Sequence, residues 1–246
     1  TEPYLNKKFP LKIENENVWI NGSVCPNNEL VEEIKKLNEN QVLLSGNIVV
    51  ACKTSSVKAI ELSEIESLQK IQSSLKITHV ENPWDIFSKN DEQLRSDFQL
   101  ITKGKKSQPL SKTNQAIQPE NIFIEEGAKV ECAILNASTG PIYIGKDAEI
   151  MEGSIVRGPF ALCEHSALKL GAKIYGATTI GPHCKVGGEV NNSVIFGYSN
   201  KAHDGFLGNS VIGEWCNIGA DSNNSNLKNN YAPVKLWNYE KERFVN

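Results

Sequence analysis

Four histidines are the first residues to consider for chemistry, and their surroundings differ. His203 lies in the polar stretch 200–209, which predicts a loop inserted between repeats, and loops carry functional side chains more often than packed faces do. A neutral imidazole is the usual general base near neutral pH, so His203 is the leading candidate for a catalytic residue. The alternative is an ordinary surface histidine. His165 and His183 each follow a repeat aliphatic by three residues, which predicts that they face solvent.

Three basic residues are candidates for holding a phosphate group of a substrate. Arg157, Lys185 and Lys201 lie in the same C-terminal half as His203. Lys and Arg are the usual phosphate partners in proteins because they carry positive charge and several hydrogen-bond donors. Surface lysines are also common, so each of the three has a simple alternative as a solvated side chain.

A six-residue period predicts the element that positions these residues. Aliphatic side chains recur at every sixth position, the position four beyond them is usually small, and glycine often follows the aliphatic directly. This period fits neither a helix nor a simple strand, but it is typical of a parallel β-helix. The breaks at 136–141 and 190–205 predict loops outside the coil, with Phe206 and Ile212 starting a new phase. The unbroken series is Ile144, Ile150, Val156, Leu162, Leu168, Ile174, Ile180 and Val186.

The N-terminal part has a different pattern. Short apolar segments at 18–20, 41–44 and 48–52 predict strands, and amphipathic segments at 29–37, 63–71 and 84–101 predict helices. Helices between short strands favour an α/β layer. A stretch rich in Lys, Ser, Gln and Pro at 103–118 predicts a linker. We therefore divide the chain into an α/β domain over 1–105, including a connecting helix, and an all-β domain over 106–246.

The composition of the chain limits the classes of partner that it is expected to bind. The net charge is only −3, so no strong field favours nucleic acid or a membrane surface. No apolar segment is long enough to span a bilayer, and the first residues lack the pattern of a secretory signal. Six scattered cysteines form neither a CxxC pair nor a cluster with histidine, which indicates reduced thiols, no metal site and a cytoplasmic location.

Four segments carry a resemblance to a known family. Residues 200–209 (NKAHDGFLGN) and 212–220 (IGEWCNIGA) resemble the acetyltransferase core of the bifunctional UDP-N-acetylglucosamine pyrophosphorylase / glucosamine-1-phosphate N-acetyltransferases. Residues 21–27 (NGSVCPN) and 224–231 (NSNLKNNY) resemble a divergent bacterial branch, the GlmU-like sugar nucleotidyltransferases. The resemblance covers essentially the whole chain.

The resemblance implies a fold, an activity and an assembly. The expected fold is an incomplete nucleotidyltransferase-like α/β part followed by a left-handed parallel β-helix built from hexapeptide repeats. The expected assembly is a homotrimer with active sites between subunits. The expected activity is acetyl transfer from acetyl-CoA to an amino-sugar 1-phosphate, with His203 as the base. Asn217 and Asn226 match family positions that contact the sugar or the acetyl donor, although asparagines also simply suit tight corners. After the histidine the family usually has an aromatic residue with a hydroxyl group. This chain has Phe206 at that position, so the hydrogen bond of a tyrosine-type hydroxyl is missing.

The same resemblance implies that the N-terminal part is incomplete. A glycine-rich nucleotide-binding segment is expected ahead of it, and the repeats stop without a cap, so we interpret the chain as an internal fragment of a longer protein. The family's Gly-Asp pair, whose Asp helps to hold Mg²⁺, corresponds to Gly22-Ser23. Serine supplies no carboxylate, so nucleotidyl transfer with Mg²⁺ is expected of the longer protein only.

Three classes of function remain open. The first is the N-acetyltransferase. The second is a sugar-1-phosphate nucleotidyltransferase whose β-helix serves oligomerisation or regulation. The third is a β-helix scaffold without catalysis. His203 and its loop favour the first, Ser23 weighs against the second, and the block 203–220 argues against the third.

Overall fold

A computed structural model describes residues 3–55, 60–224, 227–239 and 241–245. One compact unit ends at Glu81 and a second begins at Asn82. The first unit contains a four-stranded sheet whose first three strands are antiparallel and whose last is parallel. In order across the sheet, the strands are Asn17–Ile20, Ile48–Thr54, Gln41–Ser45 and Gln69–Gln72.

Shorter elements complete the first unit: a 3-10 turn at Pro3–Leu5, helices Asn28–Lys35 and Leu62–Glu66, and the strand pair Val24–Cys25 with Thr78–His79. The helix at 28–35 begins where the Asn27 side chain accepts a hydrogen bond from the Leu30 amide, which satisfies one of the free N–H groups of the first turn. It buries Leu30 and Ile34 against the sheet core.

The predicted elements of this unit are confirmed with one exception. The three predicted strands and the helix at 29–37 are present. The prediction of one helix over 63–71 is wrong in its second half, because the helix ends at Glu66 and a strand begins at Gln69. Gln69–Gln72 pairs in parallel with Gln41–Leu44, so it satisfies backbone groups that the edge of the sheet would otherwise leave open.

Two helices begin the second unit, and they pack on the β-helix. The predicted helix over 84–101 is present but divides at Lys89 into Pro83–Ser88 and Asn90–Thr102. The Asn90 amide nitrogen donates to the Ala177 carbonyl (2.9 Å), and its oxygen accepts from the Thr179 hydroxyl (3.0 Å). Leu94 and Phe98 of the longer helix are buried.

Three parallel sheets then form the faces of a β-solenoid of about five turns over residues 115–212, as a left-handed β-helix requires. The first face comprises Gln115–Ile117, Ile134–Asn136, Ile155–Arg157, Lys173–Tyr175, Glu189–Asn191 and Phe206–Gly208. The second comprises Ile122–Ile124, Ile142–Ile144, Phe160–Leu162, Thr178–Ile180, Val194–Ile195 and Val211–Ile212. The third comprises Lys129–Val130, Glu149–Ile150, Ala167–Leu168, Lys185–Val186 and Asn200–Lys201.

The interior follows the predicted period. All eight predicted aliphatics from Ile144 to Val186 are at most 1% exposed, which confirms that they fill one core. Small side chains beside them are also buried, as predicted: Ala148, Ser154, Ser166, Ala172, Thr178 and Cys184. We call residues 142–186 the regular coils, because Ile150 pairs with Leu168 and Leu168 pairs with Val186 at the same spacing, which is three hexapeptides.

The two predicted breaks have opposite causes. At 136–141 the prediction of a loop is confirmed, since the chain takes nine residues from Leu135 to Ile144 where a regular coil takes six. At 190–205 the prediction of a loop is wrong. Val186 pairs with Lys201, which comes earlier in the chain than three further hexapeptides would place it, and two short strands of the solenoid lie within the stretch. This coil is shorter than three hexapeptides, so its strands remain in the solenoid but its inward residues no longer follow the six-residue period. We call residues 187–224 the contracted coils.

The contraction also changes which side chain points inward. The predicted phase put Phe206 in the interior, and this is wrong: Leu207 is the buried residue, 3% exposed, and pairs with Val190. Phe206 faces outward and its ring lies across Gly208, where a Cβ would come within 2.6 Å of it. Beyond the solenoid, Leu236–Asn238 and Arg243–Val245 form an antiparallel hairpin.

Candidate functional site

The outer side of the third face brings two of the predicted site residues into one column. Lys185 pairs with Asn200, and Asn200 pairs with Asn217 through a bridge that extends this face by one rung. Each pairing places neighbours about 4.8 Å apart along the solenoid axis. Lys185 and Asn217 are exposed and Asn200 is half-buried, so an ammonium group and two amides line an open surface.

His203 lies at the corner where this coil leaves the third face. It follows Asn200 by three residues, so the two backbones are at most about 10 Å apart. The imidazole is exposed, and within the described part of the chain no side chain forms a hydrogen bond with it. The structure therefore places His203 beside the column that contains Lys185 and Asn217. Its position is a solenoid corner, however, and not the inserted loop that the sequence predicts.

Lys201 occupies a different environment from the one predicted. Its side chain points into the solenoid interior and is 2% exposed. Nζ donates to the carbonyl oxygens of Gly187 (3.1 Å) and His203 (2.7 Å). Burial lowers the pKa of this ammonium group, and nearby Asp204 opposes that shift. The predicted contact between Lys201 and a substrate phosphate therefore finds no support in this geometry, because the ammonium group faces away from the outer surface.

Arg157 is separated from the other candidates. It is exposed on the first face, where Ile155, Lys173, Tyr175 and Glu189 line a groove of about 490 Å³ with it. Three strand spacings, about 14 Å along the axis, separate its strand from the one that follows His203. The structure does not bring Arg157 to the third face. Asn226 lies outside the described residues.

Sequence reasoning misses two residues of this surface. Asn200 lies between Lys185 and Asn217, and Lys169 lies in the neighbouring outer column, in register with Gly187 and Ala202. A Cβ at Gly187 would come within 3.1 Å of Lys169 Cβ, which places these two positions side by side. The regular spacing already relates Lys169 to Gly187, so the period could have identified Lys169, whereas the shortened spacing from Lys185 to Asn200 hides Asn200 in the sequence.

His165 and His183 are exposed, as predicted, and belong to a stacked ladder of side chains at the corner between the second and third faces. Successive ring centroids from His165 through His183 and Tyr198 to Trp215 are 4.9, 4.9 and 4.6 Å apart, with planes within 19°. Asp147 continues the ladder, with 3.9 Å between its Oδ2 and His165 Nδ1. All five residues have φ between 53° and 60°. Corner geometry thus explains both histidines without a catalytic role.

The described residues offer no candidate metal centre, since no group of three or more His, Cys, Asp or Glu side chains among them is placed to hold an ion. Over the same part of the chain, every helix is too short or too polar to cross a bilayer. Ser23 Oγ donates to Asn21 Oδ1 (2.7 Å) within a tight turn, so the position expected for a metal-binding Asp holds a turn-forming hydroxyl.

Comparisons with known proteins bear on the N-terminal part. No curated protein matches the chain. The family model described as sugar nucleotidyl transferase matches residues 1–106. The match ends close to the predicted domain boundary at 105, although the helices before that point pack with the β-helix unit. The chain therefore combines a region similar to sugar nucleotidyl transferases with a parallel β-solenoid.

Proposed function

We propose that the β-helix unit is an acetyl-CoA-dependent N-acetyltransferase that acts on an amino-sugar 1-phosphate, as the GlmU-like resemblance implies. The observation that carries the proposal is the alignment of Lys185, Asn200 and Asn217 in one column on the outer side of the third face, with His203 three residues after Asn200. These groups combine a base, a cation and amide hydrogen-bonding groups on one surface. The pairing of a sugar nucleotidyl transferase-like region with a β-solenoid supports the same class of substrate.

In this proposal His203 is the general base. An amino-sugar amine attacks the thioester only as the free amine, and it is mostly protonated at neutral pH. An exposed imidazole can approach the incoming amine and accept its proton as the new N–C bond forms and the coenzyme A thiolate leaves. The amides of Asn200 and Asn217 supply donors for the sugar hydroxyls or for the developing oxyanion.

Lys185 and Lys169 are the proposed phosphate contacts. They lie in adjacent outer columns of the third face, Lys169 in register with Gly187 and Lys185 two residues before it. Two ammonium groups on one face favour a dianionic phosphate ester over a neutral sugar. Arg157 contributes only if another copy of the chain brings its first face to this site, and the role of Asn226 remains a proposal from the resemblance.

We also propose that the chain assembles as a homotrimer. Ile117, Ile134 and Ile155 are 52%, 37% and 48% exposed on the outer side of the first face. Contiguous exposed apolar patches mark interaction sites, and these three side chains lie on neighbouring strands of the face. A trimer would bring the groove at Arg157 to a neighbouring subunit. Light scattering that gives a monodisperse monomer of the folded protein would contradict this assembly.

A cytoplasmic location is part of the proposal. All six cysteines are free thiols, and three of them are exposed or half-buried on the solenoid: Cys132, Cys163 and Cys216. Free accessible thiols persist most readily in a reducing compartment.

The second candidate function is nucleotidyl transfer, and the family match over residues 1–106 favours it. The described residues do not fit the Mg²⁺ that this chemistry needs, since Ser23 offers no carboxylate and no acidic cluster replaces it. We therefore derive no step through the metal and keep nucleotidyl transfer as the second candidate only.

One assay separates the candidates. The chain is incubated with acetyl-CoA and glucosamine 1-phosphate, and free coenzyme A thiol and acetylated product are measured. A parallel reaction contains Mg²⁺, UTP and N-acetylglucosamine 1-phosphate, and pyrophosphate is measured. We expect thiol release and N-acetyl product in the first reaction and none in the second. Acetyl-CoA should also raise the melting temperature, because it binds the folded state. Pyrophosphate release without acetyl transfer would overturn the proposal.

A further inference from the structure

The inward column of the third face contains one charged residue. Val130, Ile150, Leu168 and Val186 stack along this column, and the next pairing partner is Lys201. All five side chains are at most 5% exposed. An ammonium group is costly to bury unless hydrogen bonds compensate it. The fold therefore accepts a lysine where the preceding coils have aliphatic residues.

The Lys201 ammonium group forms hydrogen bonds to two successive coils. It donates to the Gly187 carbonyl of the preceding coil and to the His203 carbonyl of its own coil. One donor group thus joins two successive coils at the corner that carries His203. Charge-assisted hydrogen bonds of this kind are stronger and shorter than neutral ones, so they fix the relative position of the groups they join.

The backbone around this contact is packed without spare room. A Cβ at Gly187 would lie 2.5 Å from the Ala202 carbonyl oxygen. A Cβ at Gly188, where φ is +70°, would lie 2.9 Å from the His203 carbonyl oxygen. The contraction from Val186 to Val190, four residues in place of six, creates this close approach. Two glycines and one buried lysine together set the path of the backbone at His203.

We propose that Lys201 is a positioning residue that holds the His203 corner in the orientation needed for acetyl transfer. The inference rests on the proposed function for its catalytic consequence, but not for its structural one. Lys201 acts through the His203 backbone and does not touch substrate. This positioning role replaces the predicted contact of Lys201 with a substrate phosphate. Displacing a reacting group by about 1 Å can lower a rate by up to about a hundredfold, which sets the scale of the effect.

The test compares Lys201→Met with Leu168→Met, which alters the same inward column two coils earlier. Both variants are compared with wild type by the imidazole Cε1–H resonances of the four histidines and by steady-state kinetics with acetyl-CoA. The His203 resonance is assigned by its loss in His203→Ala. In Lys201→Met we expect the His203 resonance to move while those of His165 and His183 stay in place. We expect kcat to fall about ten- to a hundredfold with little change in the KM for acetyl-CoA. Leu168→Met should change neither.

The outcomes separate the two proposals. A folded Lys201→Met variant with wild-type kcat and an unmoved His203 resonance overturns the positioning role. A moved resonance in a protein whose wild type shows no acetyl transfer supports the positioning role and rejects the proposed function. If Lys201→Met does not fold, Lys201→Leu, which restores the aliphatic residue of the preceding coils and removes both hydrogen bonds, is measured in the same way. An unmoved His203 resonance there overturns the inference equally.

Discussion

The regular coils and the contracted coils of the same solenoid differ in what their interiors contain. In the regular coils no inward residue is charged, and the spacing between partners is constant, as in the pairs Ile144 with Leu162 and Leu162 with Ile180. In the contracted coils the spacing shortens, since Ile180 pairs with Ile195, and Lys201 enters the interior. The candidate residues of the contracted coils are His203, Asn200 and Asn217, with Lys185 on the last regular strand.

This difference indicates that the regular coils serve as a scaffold and that the contracted coils hold the candidate site. A regular coil repeats the same few corner geometries, which favours stacking and little else. Removing residues forces new corners, and the glycines at 187 and 188 with the lysine at 201 accommodate them. Proteins depart from local consistency mainly at functional positions. The departure from the period is therefore the strongest pointer to the site in this unit.

The largest expected effect comes from a charge in the regular coils. Leu168→Asp buries an unpaired carboxylate in a column that is fully enclosed, so we expect a loss of more than about 4 kcal/mol in the free energy of unfolding. Urea denaturation followed by circular dichroism measures it. Leu168→Met is the control and should cost less than about 1.5 kcal/mol. A folded Leu168→Asp variant of near wild-type stability would contradict the enclosed column.

A smaller effect separates two glycines with the same backbone conformation. Gly171 in the regular coils and Gly188 in the contracted coils have φ of +68° and +70°. A Cβ at Gly171 meets nothing within 4 Å, whereas one at Gly188 meets the Gly205 carbonyl at 2.8 Å. We expect Gly171→Ala to cost about 1 kcal/mol from the left-handed conformation alone. Gly188→Ala should cost at least about 2 kcal/mol, because overpacking adds to that strain. Equal losses in thermal unfolding would show that the contracted corner is not tightly packed.

The aromatic ladder runs through both regions, and its open end provides a still smaller effect. Trp215 is 75% exposed and stacks on Tyr198 in the contracted coils. Trp215→Ala should lower stability by about 1 kcal/mol through loss of this stacked pair. Trp215→Phe retains a flat ring and should recover most of the loss. A stability change below the error of thermal unfolding for Trp215→Ala would mean that the stack contributes nothing measurable.

The smallest expected effect is a difference in chemical labelling between two cysteines, and this test needs no substitution. Burial, with the nearby Glu164 and Cys184, raises the pKa of the Cys163 thiol to about 11. Cys132, at another corner, is exposed. Because the thiolate is the reactive form, Cys163 should remain unreactive until the pH approaches 11. Mass spectrometry after brief iodoacetamide treatment at pH 8 should find Cys132 modified and Cys163 intact. Modification of Cys163 before Cys132 would contradict the raised pKa of the Cys163 thiol.

The sequence is sufficient for the regular coils and insufficient for the contracted ones, for a physical reason. Ile144 to Val186 keep one phase, so period alone identifies the interior. After Val186 the spacing shortens to four and then five residues, and a six-residue search loses the phase. That is why the period predicts Phe206 in place of Leu207 in the core, and why it predicts a loop at 190–205.

The site shows the same limit. His203 and Lys185 can be identified because their side-chain chemistry is recognisable without a structure, but the inward direction of Lys201 depends on pairing with Val186. Polar residues are assigned to the surface by default, since buried charges are rare. Likewise, the strand at Gln69–Gln72 depends on its parallel partner Gln41–Leu44, which is distant in the sequence and which local propensity cannot supply.

The central claim is that His203 at the contracted corner is the base for acetyl transfer, and one pair of variants tests it most directly. His203→Ala and His165→Ala each remove an exposed corner histidine, the first beside the proposed site and the second in the ladder. Both are measured for coenzyme A release with glucosamine 1-phosphate and for melting temperature. We predict that His203→Ala lowers kcat about a hundred- to ten-thousandfold, with an unchanged melting temperature and KM for acetyl-CoA, while His165→Ala keeps the wild-type rate. A His203→Ala variant that acetylates at the wild-type rate would contradict the account.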